Sequence, residues 1–425
     1  MAARLPSIAC SFGLVKKAIV ENICKSDSIV LTKEISELLD YNLLGGKLIR
    51  GSLLLSVFDA MCPRCSAEVR NQASQLGWAT ELLHAGLLVQ DDIMDESLKR
   101  RSHDCWHRIR NVGLNAVNDG LLLQSAALVL PSYILGTHPA LPAVEREFQQ
   151  ALFWTAVGQK MDGSRATPSN STQEWYRCLT LNKTGRYSFW LPTKVALLIS
   201  GTKAVEETDR LFRLCSLLGF YYQVQDDYID CFSSINNEED EMCNDIATGK
   251  VTWPLITALE SLSPKSSLWN KLWSSYGIQE LGHVESVKSI YVKLAVINDL
   301  TCSAVRSVFR MLMDNLYQRK DVRSLKPSAD YCILKAILVA KEELLWVKIV
   351  TRLPYCAEKQ GITVRRLIIN PTALNLLSHN EQCLSVGTRY RFIRQWVALL
   401  GNVIRPSGLF PVCITALLQP EAMMN

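Results

Sequence analysis

The sequence predicts an all-α fold, a helical bundle, and three observations carry that reading. Long stretches place apolar residues at i, i+3 and i+4 spacing. Clusters of turn-forming residues separate them. No two-residue hairpin signal stands between alternating strands. Taken in order, Ala73 to Gln90 carries Leu76, Ala79, Leu82, Leu83, Leu87 and Leu88 on one face. Leu211 to Tyr222 repeats the pattern through Leu211, Leu214, Leu217, Leu218 and Tyr221. Val251 to Leu262 and Val284 to Ile297 also read as helices. Gly136 to Pro139, Pro168 to Asn170 and Ser233 to Asn237 are the breaks. The bundle is expected over about residues 30 to 320.

The last part of the chain differs. Pro354, Gly361, Pro371, Gly387, Gly401, Pro406, Gly408 and Pro411 keep interrupting it, and its periodicity fits neither helix nor strand. From Lys348 onward the net charge is +6, against +5 for the whole 425 residues. Two parts are therefore expected: a helical domain over 1–345 and a basic extension over 346–425. A hydrophobic share of 48% with 20% charged residues is globular, and the mild net charge does not point to nucleic acid.

The 14 cysteines are scattered, which fits free thiols in a reducing compartment. Cys62-Pro63-Arg64-Cys65 is the lone CxxC and lacks the second pair that zinc requires. No apolar run reaches the roughly 18 uncharged residues of a membrane helix. The N-terminus carries Arg4, Lys16 and Lys17 with no acid before Glu21, a mitochondrial-type pattern, but an ordinary first helix is the preferred reading. The expected location is cytoplasmic, with a mitochondrial one as the alternative.

Two motifs carry the chemistry: Asp91-Asp92-Ile93-Met94-Asp95 and Asp226-Asp227-Tyr228-Ile229-Asp230. On a helix i and i+4 share a face about 6 Å apart. Asp91 therefore pairs with Asp95, and Asp226 with Asp230. Clustered carboxylates repel unless a cation joins them, and Mg²⁺ takes such oxygen ligands while keeping positions for phosphate oxygens. One such motif alone is as readily a solvated acidic helix end. Two copies, each ending an apolar helix, make that reading poor. Lys99-Arg100-Arg101 follows the first motif by one helical turn, and Lys47 and Arg50 sit in Gly45-Gly46-Lys47-Leu48-Ile49-Arg50-Gly51. A metal-only site needs no such cations, whereas a diphosphate site does.

With these motifs the chain resembles the trans-isoprenyl diphosphate synthases, most closely farnesyl diphosphate synthases of the animal type. The resemblance runs over about residues 35 to 330. It also rests on Tyr41-Asn42, Cys105-Trp106 with Arg108, Gly158-Gln159 with Asp162, Lys183-Thr184 with Tyr187, Gln223, and Asp245 with Lys250. It implies an all-α homodimer with its active site inside the bundle. It implies that Asp91, Asp95, Asp162 and Asp226, with Asp230 on the same rim, hold three Mg²⁺ on an allylic diphosphate. Arg100, Lys183 and Lys250 would grip that diphosphate. Lys47, Arg50 and Arg101 would hold isopentenyl diphosphate, with His84 at a position the family uses for the same substrate. Thr184, Tyr187 and Gln223 would steady the allylic cation or the departing diphosphate.

Several positions leave the pattern. Ile49 stands where Asn is usual and His84 where Gln is usual. Ser102-His103-Asp104 replaces Gly-x-Pro, Glu241 lies near an expected Lys, and Ala340-Lys341-Glu342-Glu343 stands near the place of a basic C-terminal end. Condensation of isopentenyl diphosphate with an allylic diphosphate is the first reading. A terpene synthase acting on the allylic diphosphate alone is the second, and a non-catalytic prenyltransferase subunit the third. Gly86 and Leu87 replace two aromatic residues that often floor the family's pocket. They are expected to deepen it for at least a C15 chain, so that Gly86→Phe would shorten the product.

Overall fold

A computed structural model describes residues 7–23, 29–201, 208–232 and 244–294. The boundary expected at 345/346, the extension 346–425, Ser233 to Asn237, Glu241 and Ala340 to Glu343 lie outside these residues. The helices are α1 (Phe12–Lys17), α2 (Ile29–Leu43), α3 (Ile49–Met61), α4 (Ala67–Met94), α5 (Ala116–Leu135), α6 (Leu141–Asp162), α7 (Gln173–Thr180), α8 (Leu191–Ile199) and α9 (Thr208–Phe232). Then come α10 (Asn244–Thr248), α11 (Trp253–Glu260), α12 (Ser267–Ser275) and α13 (Leu281–Lys293). A π-helical stretch, Leu181–Trp190, joins α7 to α8. The all-α expectation holds, and all four helices read from periodicity are present, with 295–297 of the last outside the described residues.

Local signals set the ends. Ser66 caps α4, its hydroxyl accepting the Val69 N–H at 3.3 Å. Thr172 and Ser266 do the same for α7 and α12. Gly136, at φ 54°, ends α5 where the sequence shows a break. α4 lies at the centre of the bundle. Trp78, Leu82 and Leu83 are fully buried, and Thr80 and Glu81 on its other sides are buried too. The one-faced stripe expected of this helix is therefore an all-round burial. A second core joins α7, α9, α11 and α13 through Tyr176, Val224, Leu255, Val287 and Tyr291.

The N-terminal segment, a 3-10 turn, the short α1 and a π-helical stretch, packs against the bundle. Ile8, Val15 and Ile19 are buried, and the Trp78 indole N–H donates to the Ile8 carbonyl at 2.8 Å.

Two expectations fail. A two-residue hairpin is present: β1 (Lys99–Arg100) pairs with β2 (His103–Asp104) in antiparallel register. Its turn residues, Arg101 at φ 54° and Ser102 at φ 68°, are both left-handed, as a type I′ turn requires. The signal was missed because such turns ordinarily announce themselves by Asn-Gly. Accordingly α4 stops at Met94, and the basic triplet lies on the hairpin, not on a continuing helix. Ser102→Gly is expected to stabilise the protein by about 0.5–1 kcal/mol, since a β-carbon at positive φ costs about 1–2 kcal/mol and the looser unfolded chain returns part of that. Thermal unfolding checks it; an unchanged or lower midpoint contradicts it.

Gly86 does not deepen a pocket. A β-carbon there would stand 2.6 Å from the Gly120 carbonyl oxygen and 2.8 Å from Gln124 Cγ. Gly86 is the point where α4 and α5 touch backbone to backbone. Gly86→Phe is thus expected to disrupt this crossing and yield little folded protein, rather than a shorter product. Recovery of folded Gly86→Phe with a shortened product would overturn this.

Candidate active site

The last turns of α4 bring three aspartates to the site in different ways. Asp91 is half-buried; it accepts a hydrogen bond from Gln159 Nε2 at 2.7 Å, and Arg100 Nη2 lies 3.9 Å away. Asp92 is buried and accepts from Arg100 Nε at 2.8 Å and from its Nη2. Asp95 caps the helix and accepts from Lys250 Nζ at 2.7 Å.

Lys250 joins the parts of the site. Besides Asp95 it lies 3.5 Å from Asp162 and 3.7 Å from Asp245. Lys183 donates to the same Asp162 oxygen at 2.6 Å. The first aspartate motif, the end of α6, the π-helical stretch and α10 thus meet in one charge network. The backbone at Lys250 is fixed for this purpose. Its N–H donates to the Asp245 carbonyl at 3.0 Å, and its own carbonyl accepts the Tyr276 hydroxyl at 2.7 Å. Gly249 turns at φ 75°, and its carbonyl accepts from Ala166 N at 2.7 Å.

Burial and charge compete here. Burial pushes the Asp95 carboxyl up; Lys250 opposes this and Asp91 adds to it. Burial alone would raise Asp162 too, but Lys183 and Lys250 outweigh it and hold that carboxyl below the usual range. The lysines are in turn raised. Burial would lower them, but Asp162 and Asp91 act on Lys183, and Asp162, Asp245 and Asp95 on Lys250. Burial, then the charge of Asp230, pushes Asp245 well up.

In the second motif Asp226 is exposed and Asp230 half-buried at the end of α9; Asp230 Oδ2 accepts from Asp245 N at 3.3 Å. Asp227 is buried, its carboxylate taking the Tyr176 hydroxyl at 2.7 Å, the Trp253 N–H at 2.9 Å and Gln223 Nε2 at 3.0 Å. Burial carries its carboxyl to about 6 despite these donors. Gln223 also accepts from Thr184 Oγ1 at 2.7 Å.

Lys183, Thr184 and Tyr187 all come from the π-helical stretch, a widened backbone form met mostly at functional sites. Two glycines make room for it. A β-carbon on Gly158 would run into the Lys183 N–H, and one on Gly219 into Gly185.

Arg50 turns inward. Its Nη2 donates to Tyr187 Oη at 3.0 Å, its Nε to Ser188 Oγ at 3.1 Å, and its guanidinium lies 4.8 Å over the Tyr187 ring. Tyr187 Oη also lies 3.3 Å from His84 Nδ1. Burial, then Arg50, Arg101 and Arg100, holds the His84 imidazole well below its usual value, so it is neutral at pH 7. Arg101 is exposed and donates to the Asn42 and Leu44 carbonyls at 3.3 and 3.2 Å. With Arg100 it lines a cavity of 340 Å³ beside Tyr41, Leu88 and Trp106. Lys47 stands exposed on the loop before α3, apart from the network.

The structure thus gathers Asp91, Asp95, Asp162, Lys183 and Lys250, and separately Arg50, His84 and Tyr187. Sequence reasoning gave no role to Asp92, Asp227, Gln159 or Tyr176. The doubled Asp of each motif was the signal for the first two; Tyr176 has none.

The donor set fits Mg²⁺ by its chemistry: hard carboxylate oxygens on two rims, with half-buried lysines balancing the charge. Among the described residues no three of these side chains converge at metal-ligating distance, and Lys250 lies between Asp95, Asp162 and Asp245.

The polyprenyl synthetase family profile matches residues 32–294. The chain is similar to the farnesyl pyrophosphate synthase of Rattus norvegicus, at 32% identity over 69% of this chain and 81% of the relative. It is 33% identical to farnesyl pyrophosphate synthase 2 of Lupinus albus, over 67% of this chain and 84% of that one. A solved T. brucei farnesyl diphosphate synthase, complexed with a bisphosphonate, superposes with a TM-score of 0.69. It is 24% identical and covers 79% of this chain and 97% of that one, a likeness of fold. Among the described residues no helix is long and apolar enough to cross a membrane. The extent of these matches leaves one conclusion: the chain belongs to the polyprenyl synthetase family, the trans-isoprenyl diphosphate synthases, and is a prenyltransferase.

Proposed function

We propose that this protein is a short-chain synthase of the farnesyl type that condenses isopentenyl diphosphate with an allylic diphosphate. The observation that carries the reading is the network in which Lys183 and Lys250 hold Asp162 and Asp95 together at the foot of both aspartate motifs. Such a constellation suits a ligand that is itself a polyanion held through cations.

Asp91, Asp95, Asp162, Asp226 and Asp230 would hold Mg²⁺, three ions by resemblance. When bound, Mg²⁺ supplies charge stabilisation to the departing diphosphate. Lys183, Lys250 and Arg100 grip the allylic diphosphate as its C–O bond breaks and the electron pair leaves with it. Thr184, Tyr187 and Gln223 are buried, and their fixed oxygen dipoles steady the allylic cation away from water. Lys47, Arg50, Arg101 and His84 hold isopentenyl diphosphate so that its double bond attacks the cation. A new C–C bond forms, and the resulting tertiary cation loses a proton to the diphosphate.

Lys47, Arg50 and Arg101 are cations suited to a second diphosphate, which favours condensation. A homodimer is proposed as well. Val117, Leu121, Val129 and Tyr133 repeat at multiples of four along α5 and are all exposed, a stripe suited to a second copy. A monomer mass by light scattering would count against it.

The reaction is tested by incubating the protein with Mg²⁺ and geranyl or farnesyl diphosphate, with and without isopentenyl diphosphate. A longer prenyl diphosphate formed only with both substrates supports the proposal. Hydrocarbons or alcohols formed without isopentenyl diphosphate contradict it.

A further inference from the structure

Glu81 lies in the middle of α4, outside both aspartate motifs, and has no part in the mechanism above. It is 5% exposed. A carboxylate is costly to bury without partners, so its partners define what it does. Glu81 Oε1 accepts the Gly51 N–H at 2.9 Å. Gly51 belongs to the first turn of α3, where helices leave donors unsatisfied. That turn has no cap of its own: Leu48, at the cap position, is left-handed at φ 50° and its side chain accepts nothing. A residue from a neighbouring helix does the work of the missing cap.

The approach of the two helices is built for this contact. A β-carbon on Gly51 would stand 2.8 Å from the Gly77 carbonyl oxygen, and one on Gly77 would stand 3.0 Å from that of Gly51. Gly77 and Glu81 are four apart and share a face of α4. The close crossing at Gly77 thus carries the Glu81 carboxylate onto the start of α3. That start is the segment from which Arg50 reaches Tyr187 and Ser188. Burial raises the Glu81 carboxyl, and the charge of Arg50, the backbone dipoles at Gly51 and Arg50 and the charge of Arg101 pull against that rise.

We infer that Glu81 is a positioning residue for the isopentenyl diphosphate side of the site: by capping α3 from α4 it fixes the backbone from which Arg50 projects. This rests on the reading of Arg50 as a ligand of that diphosphate. Glu81 touches neither substrate in this account, so its loss acts through Arg50.

The test measures KM for each substrate separately, with kcat and the thermal midpoint, in Glu81→Ala, Glu81→Gln, Arg50→Ala and the Glu81→Ala/Arg50→Ala double variant. Glu81→Ala is expected to raise KM for isopentenyl diphosphate roughly 10- to 100-fold, the scale of lost hydrogen bonds to a charged group. KM for the allylic diphosphate should stay within about threefold. Glu81→Gln keeps an oxygen acceptor and should recover most of the loss. In the double variant the effects should fail to add, because both act through one side chain. If Glu81→Ala does not fold, Glu81→Asp, one methylene shorter, takes its place with the same selective rise expected. Equal changes in both KM values, or none, with Arg50→Ala still impaired, overturn the role of Glu81 alone. An unchanged KM in Arg50→Ala overturns the Arg50 reading and the inference with it.

Discussion

Asp91→Ala is expected to lower turnover about 10²–10³-fold while leaving the fold almost untouched. The size is that of removing one preorganised electrostatic group from a site where charge develops. The fold should survive because Asp91 is half-buried and its described contacts, with Gln159 and Arg100, are peripheral to the core. Its neighbour gives the contrast. Asp92 is 3% exposed and anchors Arg100 through two of its three guanidinium nitrogens. Asp92→Ala leaves that guanidinium without its partner, and is expected to cost about 1–3 kcal/mol, less than a fully buried pair because Arg100 is partly solvated. Steady-state kinetics and thermal unfolding on both variants separate the two. Equal loss of stability in both would defeat the division of labour between adjacent aspartates.

Gly158→Ala is the second large effect. Its added methyl would stand 2.5 Å from Lys183 Cα and 2.7 Å from the Asn182 carbonyl carbon. Backbone on both sides is held in helices, so the clash cannot be relieved by turning a side chain. A loss of roughly 3 kcal/mol or more is expected, at the upper end of overpacking. That is a fall in midpoint of roughly 3–5 °C or more. Activity should fall further than stability, because Lys183 is displaced from Asp162. Circular dichroism melts with an activity assay well below the midpoint check this. A variant with native midpoint and native kcat would contradict the packing described.

How much of this could be read from the chain depends on the kind of signal. Helix identity was legible because the apolar period survives in α4, α9, α11 and α13. The acidic rims were legible because each motif compresses its carboxylates into five residues. The buried partners were not. Asp92 and Asp227 look in sequence like Asp91 and Asp226, and burial alone distinguishes them. Tyr176 reaches Asp227 across 51 positions, and Lys250 reaches Asp95 across 155. Neither pairing leaves a local trace. The hairpin at Arg101-Ser102 was missed for the opposite reason, since its residues are poor at the turn they form. Gly86 was misread because an absent ring suggests space, whereas here the space belongs to the backbone of α5.

The central claim is that the two aspartate motifs form one Mg²⁺-dependent site for an allylic diphosphate. A calorimetric titration tests it most directly, using a thio-bridged geranyl diphosphate analogue that resists ionisation. Binding is predicted with Mg²⁺, is predicted to vanish with EDTA and in Asp91→Ala, and is predicted to persist in Lys47→Ala. Binding of equal strength with Mg²⁺ and with EDTA, or undiminished in Asp91→Ala, would contradict the account.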